Sequence, residues 1–334
     1  MIPAESRALM QRELDEQPDI LGRAAAVLSD TAAAIRPRKD RPLWVGGCGD
    51  SLFAAQAMAR HFRVNGFDMR PVSAAEMLWD SDIRAGDTVV GLSVSGTTRR
   101  TVEAITAAKS VGAHTVALTL RADSALAQAA DSVLVLPYTP ISRAIPHGLD
   151  YHVTLVALAA LAGPVDPPTV AGLFGHQTPR LLREARNIAR GLSREARFFF
   201  LGGGAALGSA GYGAAKLHEA GGIPAWSFEA ENFCHGAQFM LRRGDHAVLC
   251  GSGGPADART AALRAGLERL GVSVSEAGLD GGRDAPLLTA LHAALSTQAL
   301  CLAVADARDL DVTDPACGTA AADVQRDWFG WPAG

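Results

Sequence analysis

Gly86-Asp87-Thr88-Val89-Val90-Gly91-Leu92-Ser93-Val94-Ser95-Gly96-Thr97-Thr98 joins a tight turn, a short apolar run and a hydroxyl-rich turn that opens a helix over 100–111. An apolar run of this length bounded by turn residues reads as a strand buried on both faces. The pattern returns later. Gly244-Asp245-His246-Ala247-Val248-Leu249-Cys250-Gly251-Ser252-Gly253 repeats its first ten residues at an offset of 158. Val45-Gly46-Gly47-Cys48-Gly49-Asp50-Ser51 returns as Phe200-Leu201-Gly202-Gly203-Gly204-Ala205-Ala206 at an offset of 155. Two nearly equal offsets predict two equivalent sheets. The first copy keeps hydroxyls where the second mostly has glycine or alanine, so the two halves are expected to do different work.

Strand and helix signals alternate outward from this stretch. Leu43–Gly46, Thr88–Leu92, Thr115–Leu118 and Val133–Leu136 read as strands, with helices over Leu52–Asn65 and Arg100–Val111. Leu149–Leu161 reads as a buried helix, and Gly163-Pro164-Val165-Asp166-Pro167-Pro168 as a domain boundary. A helix over Arg180–Ser193 leads to strands Phe198–Leu201, Val248–Gly251 and Val272–Ser275. The fold class is therefore α/β, with two tandem subdomains, each a parallel sheet in a three-layer α/β/α sandwich. The expected organisation is N-terminal helices in 1–40, broken at Gln17-Pro18-Asp19, a first subdomain in 41–163 and a linker with helix in 164–195. A second subdomain in 196–310 precedes a tail, 311–334, packed near the site.

Bulk composition narrows the function. The chain has 334 residues, 48% hydrophobic and 20% charged, with a net charge of −4, which suits two ordinary globular cores. No run of Lys or Arg points to nucleic acid or an acidic membrane surface. The apolar stretch Val153–Ala162 is too short to span a bilayer, and the charged N-terminus is not a signal peptide. Five scattered cysteines, without a C-x-x-C pair, read as free thiols in a reducing cytoplasm. Lys39, Lys109 and Lys216 are the only lysines, so a mechanism that needs an amine has few candidates.

Ser93, Val94, Ser95, Gly96 and Thr98 lie between a buried strand and a helix. Unpaired N–H groups and the helix dipole favour an anion there, and the hydroxyls add donors. Gly49, Asp50 and Ser51 form a second such turn. An ordinary N-cap explains a lone hydroxyl, whereas two strand-to-helix turns that each pair glycine with hydroxyl predict a phosphate cradle at the switch point of a doubly wound sheet. Gly47-x-Gly49 lacks the third glycine of a dinucleotide fingerprint.

These motifs resemble the sugar isomerase (SIS) domain: strand–GCGDS–helix, strand–SVSGTT–helix, then Val116-Ala117-Leu118-Thr119 and Asp123-Ser124-Ala125-Leu126. Ala214-Ala215-Lys216-Leu217-His218-Glu219 and Phe228-Glu229-Ala230-Glu231-Asn232-Phe233-Cys234-His235-Gly236 resemble the second half of the isomerase part of glucosamine-6-phosphate synthase. They also resemble the stand-alone sugar-phosphate isomerases, deaminases and fructosamine-phosphate deglycases. Glu13-x-x-Glu16-Gln17-Pro18 resembles the start of these proteins. The resemblance implies that Ser51, Ser93, Ser95 and Thr98 bind phosphate, helped by the main chain of Val94 and Gly96, and that Asp123 and Ser124 border the sugar. It implies that Glu219 moves a proton between C1 and C2, and that His235, from the neighbouring subunit of a homodimer, opens the sugar ring. The architecture it implies is two tandem flavodoxin-like (SIS) subdomains per chain, and neither metal nor cofactor is implied.

The residues allow this chemistry. One carboxylate over a planar enediol can carry a proton between adjacent carbons when burial tunes it. Lys216, three residues before Glu219, shares its helix face and can steady it. Taken alone, this pair equally reads as an exposed helix ion pair, and His235 as a surface histidine. His147 and His152 bracket Asp150, but their spacing matches no strong metal pattern. Three departures from the family stand out. Val94 replaces a frequent glutamine, Ser142–Gly148 replaces a Glu-x-x-Val-Ala-Ser-Thr-like segment, and no lysine follows Lys216. Asp314-Pro315-Ala316-Cys317-Gly318-Thr319 instead resembles the ending of AgaS-type proteins. The expected activity is aldose–ketose isomerisation of a sugar phosphate. The alternatives are amine release from an amino-sugar phosphate, as deaminase or deglycase, and a non-catalytic sugar-phosphate-binding regulator.

Overall fold

The computed structural model describes residues 2–252, 254–279, 284–314, 323–324 and 327–329. The expected contacts of the tail fall mostly on residues outside these. The chain divides into two compact units. One is built on Ile20–Thr139 and Asp150–Pro168, the other on Thr169–Cys317 with Met1–Asp19 and Pro140–Leu149.

Helix α1 (Pro3–Ala33) corrects one expectation: it runs through Pro18 instead of breaking there. Proline removes an N–H and crowds the preceding turn, at a cost of about 3 kcal/mol. Met10 and Leu14 before it, and Leu21, Ala24, Ala25 and Leu28 after it, are all fully buried on helical spacing. Burying each large apolar side chain contributes about 1.5–3 kcal/mol, which offsets that cost.

The N-terminal unit follows as β1 (Leu43–Gly47), α2 (Asp50–Val64), β2 (Met69–Ser73), α3 (Ala74–Trp79), β3 (Thr88–Leu92), α4 (Arg99–Ser110), β4 (His114–Thr119), α5 (Ala125–Ala129) and β5 (Ser132–Val135). Every strand pair is parallel, in the order β2-β1-β3-β4-β5. β1 and β3 are buried along their whole length, as their apolar runs require. On one face Trp44, Val89 and Ala117 pack with Ile105 and Leu126. Helix α6 (Leu149–Ala162) completes the unit, and α7 (Pro167–Gly191) leads out of it.

The C-terminal unit repeats the scheme: β6 (Phe198–Gly202), α8 (Ala206–Glu219), β7 (Ala225–Glu229), α9 (Ala230–Phe233), β8 (His246–Cys250), α10 (Ala256–Ala262), α11 (Arg264–Arg269), β9 (Ser273–Ala277) and α12 (Pro286–Arg308). Its parallel order among the described residues, β7-β6-β8-β9, matches β2-β1-β3-β4 of the first sheet. The register agrees as well, since Gly47 faces Ser73 and Leu92 while Gly202 faces Glu229 and Cys250. The two Gly-Asp turns are built alike. Asp87 Oδ2 accepts from Trp44 Nε1 at 3.1 Å and from the Arg84 N–H, while Asp245 accepts from Arg197 at 2.6 and 2.9 Å and from the Arg242 N–H.

Helix α12 is long and apolar enough to cross a membrane by length and composition, a feature hidden in the sequence by Thr289, His292, Ser296 and Gln298. Its most apolar window is 89% buried inside the protein, so it is a core helix here.

Candidate active site

In a parallel sheet the strand ends that share an edge bring their loops together. The loops after β1, β3 and β4 all leave the carboxyl edge of the first sheet, beside the β1/β3 switch point. Ser93 is buried and donates its N–H to Leu118 O at 3.1 Å. Its hydroxyl lies 2.9 Å from Thr98 Oγ1 and 3.4 Å from Ser95 Oγ, and Ser95 Oγ lies 3.0 Å from Thr97 Oγ1. Four hydroxyls thus form one connected cluster. Thr98 occupies the N-cap position of α4, yet its side chain makes no cap bond. Its hydroxyl belongs to the cluster, unlike that of an ordinary N-cap.

Gly96 sits at φ +67, where an L side chain is strained, and a Cβ there would lie 2.1 Å from Ser124 Oγ. The Gly96 N–H is already engaged, donating to Ser93 O at 3.0 Å and Ser93 Oγ at 3.1 Å. Val94 O accepts from the Leu120 N–H at 3.0 Å and from Thr119 Oγ1 at 3.2 Å, which ties the third loop to the second. The first loop closes the group. A Cβ on Gly47 would lie 2.3 Å from Leu92 O and 2.7 Å from Ser51 Cβ, and Gly49 turns into α2 at φ +55. Asp50 and Ser51 are half-buried there. Ser124 caps α5 by accepting from the Ala127 N–H, and Asp123 forms an exposed pair with Arg121 that holds its carboxyl below the usual range.

In the C-terminal unit, Lys216 Nζ lies 2.6 Å from Glu219 Oε2 near the end of α8. Lys216 is buried, its side chain 2% exposed, whereas Glu219 is 41% exposed. This is not the exposed helix pair that the sequence also allowed. The ammonium lies over the Tyr212 ring, 5.3 Å from its centroid, with an apolar helix face around it. A buried cation holds the carboxylate from below and leaves it open to solvent.

His235 is 71% exposed, and its Nε2 lies 3.2 Å from Glu231 Oε1. Glu219 ends the helix that precedes β7, whereas His235 follows β7. The two therefore lie toward opposite edges of one parallel sheet, with the length of β7 between them. Sequence reading missed Thr97, Thr119 and Tyr212. The first two are contiguous with quoted motifs, and Tyr212, Lys216 and Glu219 follow i, i+4, i+7 spacing on one helix face. Among the described residues, no group of three or more His, Cys, Asp or Glu side chains is placed to hold a metal ion.

Residues 38–162, which carry the hydroxyl cluster and its sheet, match the SIS domain family. They are an SIS domain. Over 263 residues the chain is 27% identical to the isomerizing glutamine–fructose-6-phosphate aminotransferase of Bradyrhizobium diazoefficiens, covering 70% of this chain and 43% of that protein. The chain spans less than half the length of the curated relatives it matches. Among solved structures, its fold is that of glucosamine-6-phosphate deaminase from Thermotoga maritima, at TM-score 0.74 and 21% identity over 92% of this chain and 97% of that one. It is equally that of tagatose-6-phosphate ketose/aldose isomerase from Escherichia coli, at TM-score 0.74 and 17% identity over 89% and 92%. Both likenesses cover both units and show the shared fold.

Proposed function

We propose that this SIS-domain protein is a sugar-phosphate isomerase that interconverts an aldose and a ketose through an enediol. The observation that carries the reading is the Lys216–Glu219 pair, a solvent-open carboxylate braced at 2.6 Å by a buried ammonium. Such a carboxylate can take a proton from C2 of the open-chain aldose and return it to C1, while the O2 proton passes to O1. The SIS domain's hydroxyls, Ser51, Ser93, Ser95 and Thr98, take the phosphate, with Gly49, Asp50, Val94 and Gly96 shaping the turns and Asp123 and Ser124 bordering the sugar. Charge-free donors suit an anion that must also leave after turnover.

His235 serves ring opening. As the C1–O5 bond breaks and C1=O1 forms, the imidazole takes the O1 proton and delivers it to O5. Because Glu219 and His235 occupy opposite edges of their sheet, the reading has His235 act in the site of a neighbouring copy, in a homodimer.

The test is turnover of a panel of aldose and ketose 6-phosphates by wild-type and Glu219→Gln protein, with ammonia measured in parallel on amino-sugar 6-phosphates. Ketose formation that is lost in the variant is the expected result. Ammonia release without isomerisation replaces the reading with a deaminase. Tight binding of sugar phosphate with no turnover replaces it with a sensor.

A further inference from the structure

His235 is held by more than its own segment. Glu231 Oε1 lies 3.2 Å from His235 Nε2, and Glu231 Oε2 pairs with Arg259 Nε. Arg259 belongs to α10, 28 positions away in sequence, and its second arm, Nη2, donates to Cys234 Sγ at 3.1 Å. One guanidinium thus grips the turn before His235 at two points. The turn is rigid from within as well. Glu229 caps α9 through the Asn232 N–H at 2.8 Å, and buried Phe233 packs against Phe199 and Phe228. Arg259, Glu231 and His235 are 41%, 53% and 71% exposed. Exposed ion pairs contribute about 0–1 kcal/mol, so stability gives little reason for this arrangement. A carboxylate on one imidazole nitrogen fixes the tautomer and turns the other nitrogen outward. Among the described residues no group bonds Nδ1.

We infer that Glu231, braced by Arg259, is the positioning residue for His235: it accepts Nε2–H and presents Nδ1 as the atom that exchanges protons with the sugar's oxygens. The inference rests on the ring-opening role proposed above. It makes Nδ1 the working nitrogen and makes α10 part of the machinery of a residue on another element. Among the described residues Glu231 is the ionisable group that contacts the ring, with Arg259 and Cys234 behind it and Glu229 and Asp257 on the same two elements.

The experiment uses the full chain labelled with 15N-histidine, at a pH where the ring is neutral. Wild-type His235 is expected to show the Nε2–H tautomer in at least tenfold excess over Nδ1–H. In Glu231→Ala the excess falls about threefold or more. An unchanged ratio overturns the inference, whatever the enzyme's activity. The kinetic arm compares a ring-forming hexose 6-phosphate with an aldotetrose 4-phosphate, whose esterified O4 prevents ring closure. Glu231→Ala is expected to lower kcat about tenfold on the first, with KM little changed, and to leave the second untouched. Arg259→Gln follows with a smaller loss that Arg259→Lys partly restores. Equal losses on both substrates overturn the inference. If His235→Ala itself turns over the hexose normally, the ring-opening role fails and the inference falls with it, and the tautomer ratio then shows that the clamp is only structural.

Discussion

The loops that leave β3 and β8 occupy matching places in two sheets of the same order, and their chemistry is opposite. After β3, Ser93, Ser95, Thr97 and Thr98 bond one another through their hydroxyls. After β8, Gly251 and Ser252 stand where Ser93 and Val94 do, and the carboxylate of Asp257 fills the turn. It accepts from the Ser252 N–H at 3.0 and 3.2 Å and contacts Ser252 Oγ at 3.5 Å. The second turn holds an anion of its own; the first is the one proposed to take the phosphate. The two turns share one place in the repeat, and an acidic side chain occupies one of them. The unit with the occupied turn is the one that carries Lys216 and Glu219, which is how a division of labour between binding and chemistry can arise from two copies of one fold.

The comparison can be broken at four points. The largest effect is expected from Glu219→Gln, which removes the proposed base of the second unit and leaves the hydroxyl cluster of the first intact. Turnover should fall about a thousandfold while the affinity for sugar phosphate, read by calorimetry, stays within about threefold. Loss of binding along with turnover would mean that the units do not divide the work this way.

Acid should separate the units next. The first residue of β8 is His246, where β3 has Thr88. Burial pushes the imidazole down to about 4 from its ordinary 6.5. The neutral ring lies 2.8 Å from Ser273 Oγ and 2.9 Å from Ser275 Oγ. The unfolded chain takes up this proton below about 6.5 and the folded chain only near 4, so stability falls as the pH drops through that window. The full loss is about 3 kcal/mol. Acid denaturation should therefore begin in the C-terminal unit, as measured by hydrogen exchange, and His246→Thr should flatten the pH dependence between these values. An unaltered profile in that variant would remove His246 as the cause.

Ser93→Ala should act on binding alone. Loss of one buried hydroxyl donor to a phosphate is expected to raise KM about tenfold with kcat within about twofold. A kcat effect of the same size would place Ser93 in the chemistry instead. The smallest change is expected from Asp257→Ala, which leaves the Ser252 N–H without its acceptor. This costs about 1 kcal/mol, or about 2–4 °C in Tm by calorimetry, with KM unchanged. A KM shift comparable with that of Ser93→Ala would show that the second loop is not closed.

Much of this was legible in the residues alone. β3 lies where its apolar run placed it, at Thr88–Leu92, and β1, β4, β6 and β8 lie within two residues of their expected ends. Strands buried on both faces must be apolar throughout, so they announce themselves. β2 (Met69–Ser73) and β7 (Ala225–Glu229) escaped notice because edge strands are half-buried, and Arg70, Pro71, Ser227 and Glu229 interrupt their patterns. The continuity of α1 escaped too, since a proline's local preference outweighs distant contacts in any window of sequence.

What the sequence determined by itself is the duplicated α/β scheme, the hydroxyl-bearing turn and the spacing of Tyr212, Lys216 and Glu219, because backbone preference, turn chemistry and helical period are local properties. What only the tertiary structure decided is the environment of those groups: that Lys216 is buried while Glu219 is open, that Thr98 joins a cluster instead of capping its helix, and that Asp257 fills the second turn. Burial and pairing depend on which distant segments pack around a side chain, and no local pattern encodes that.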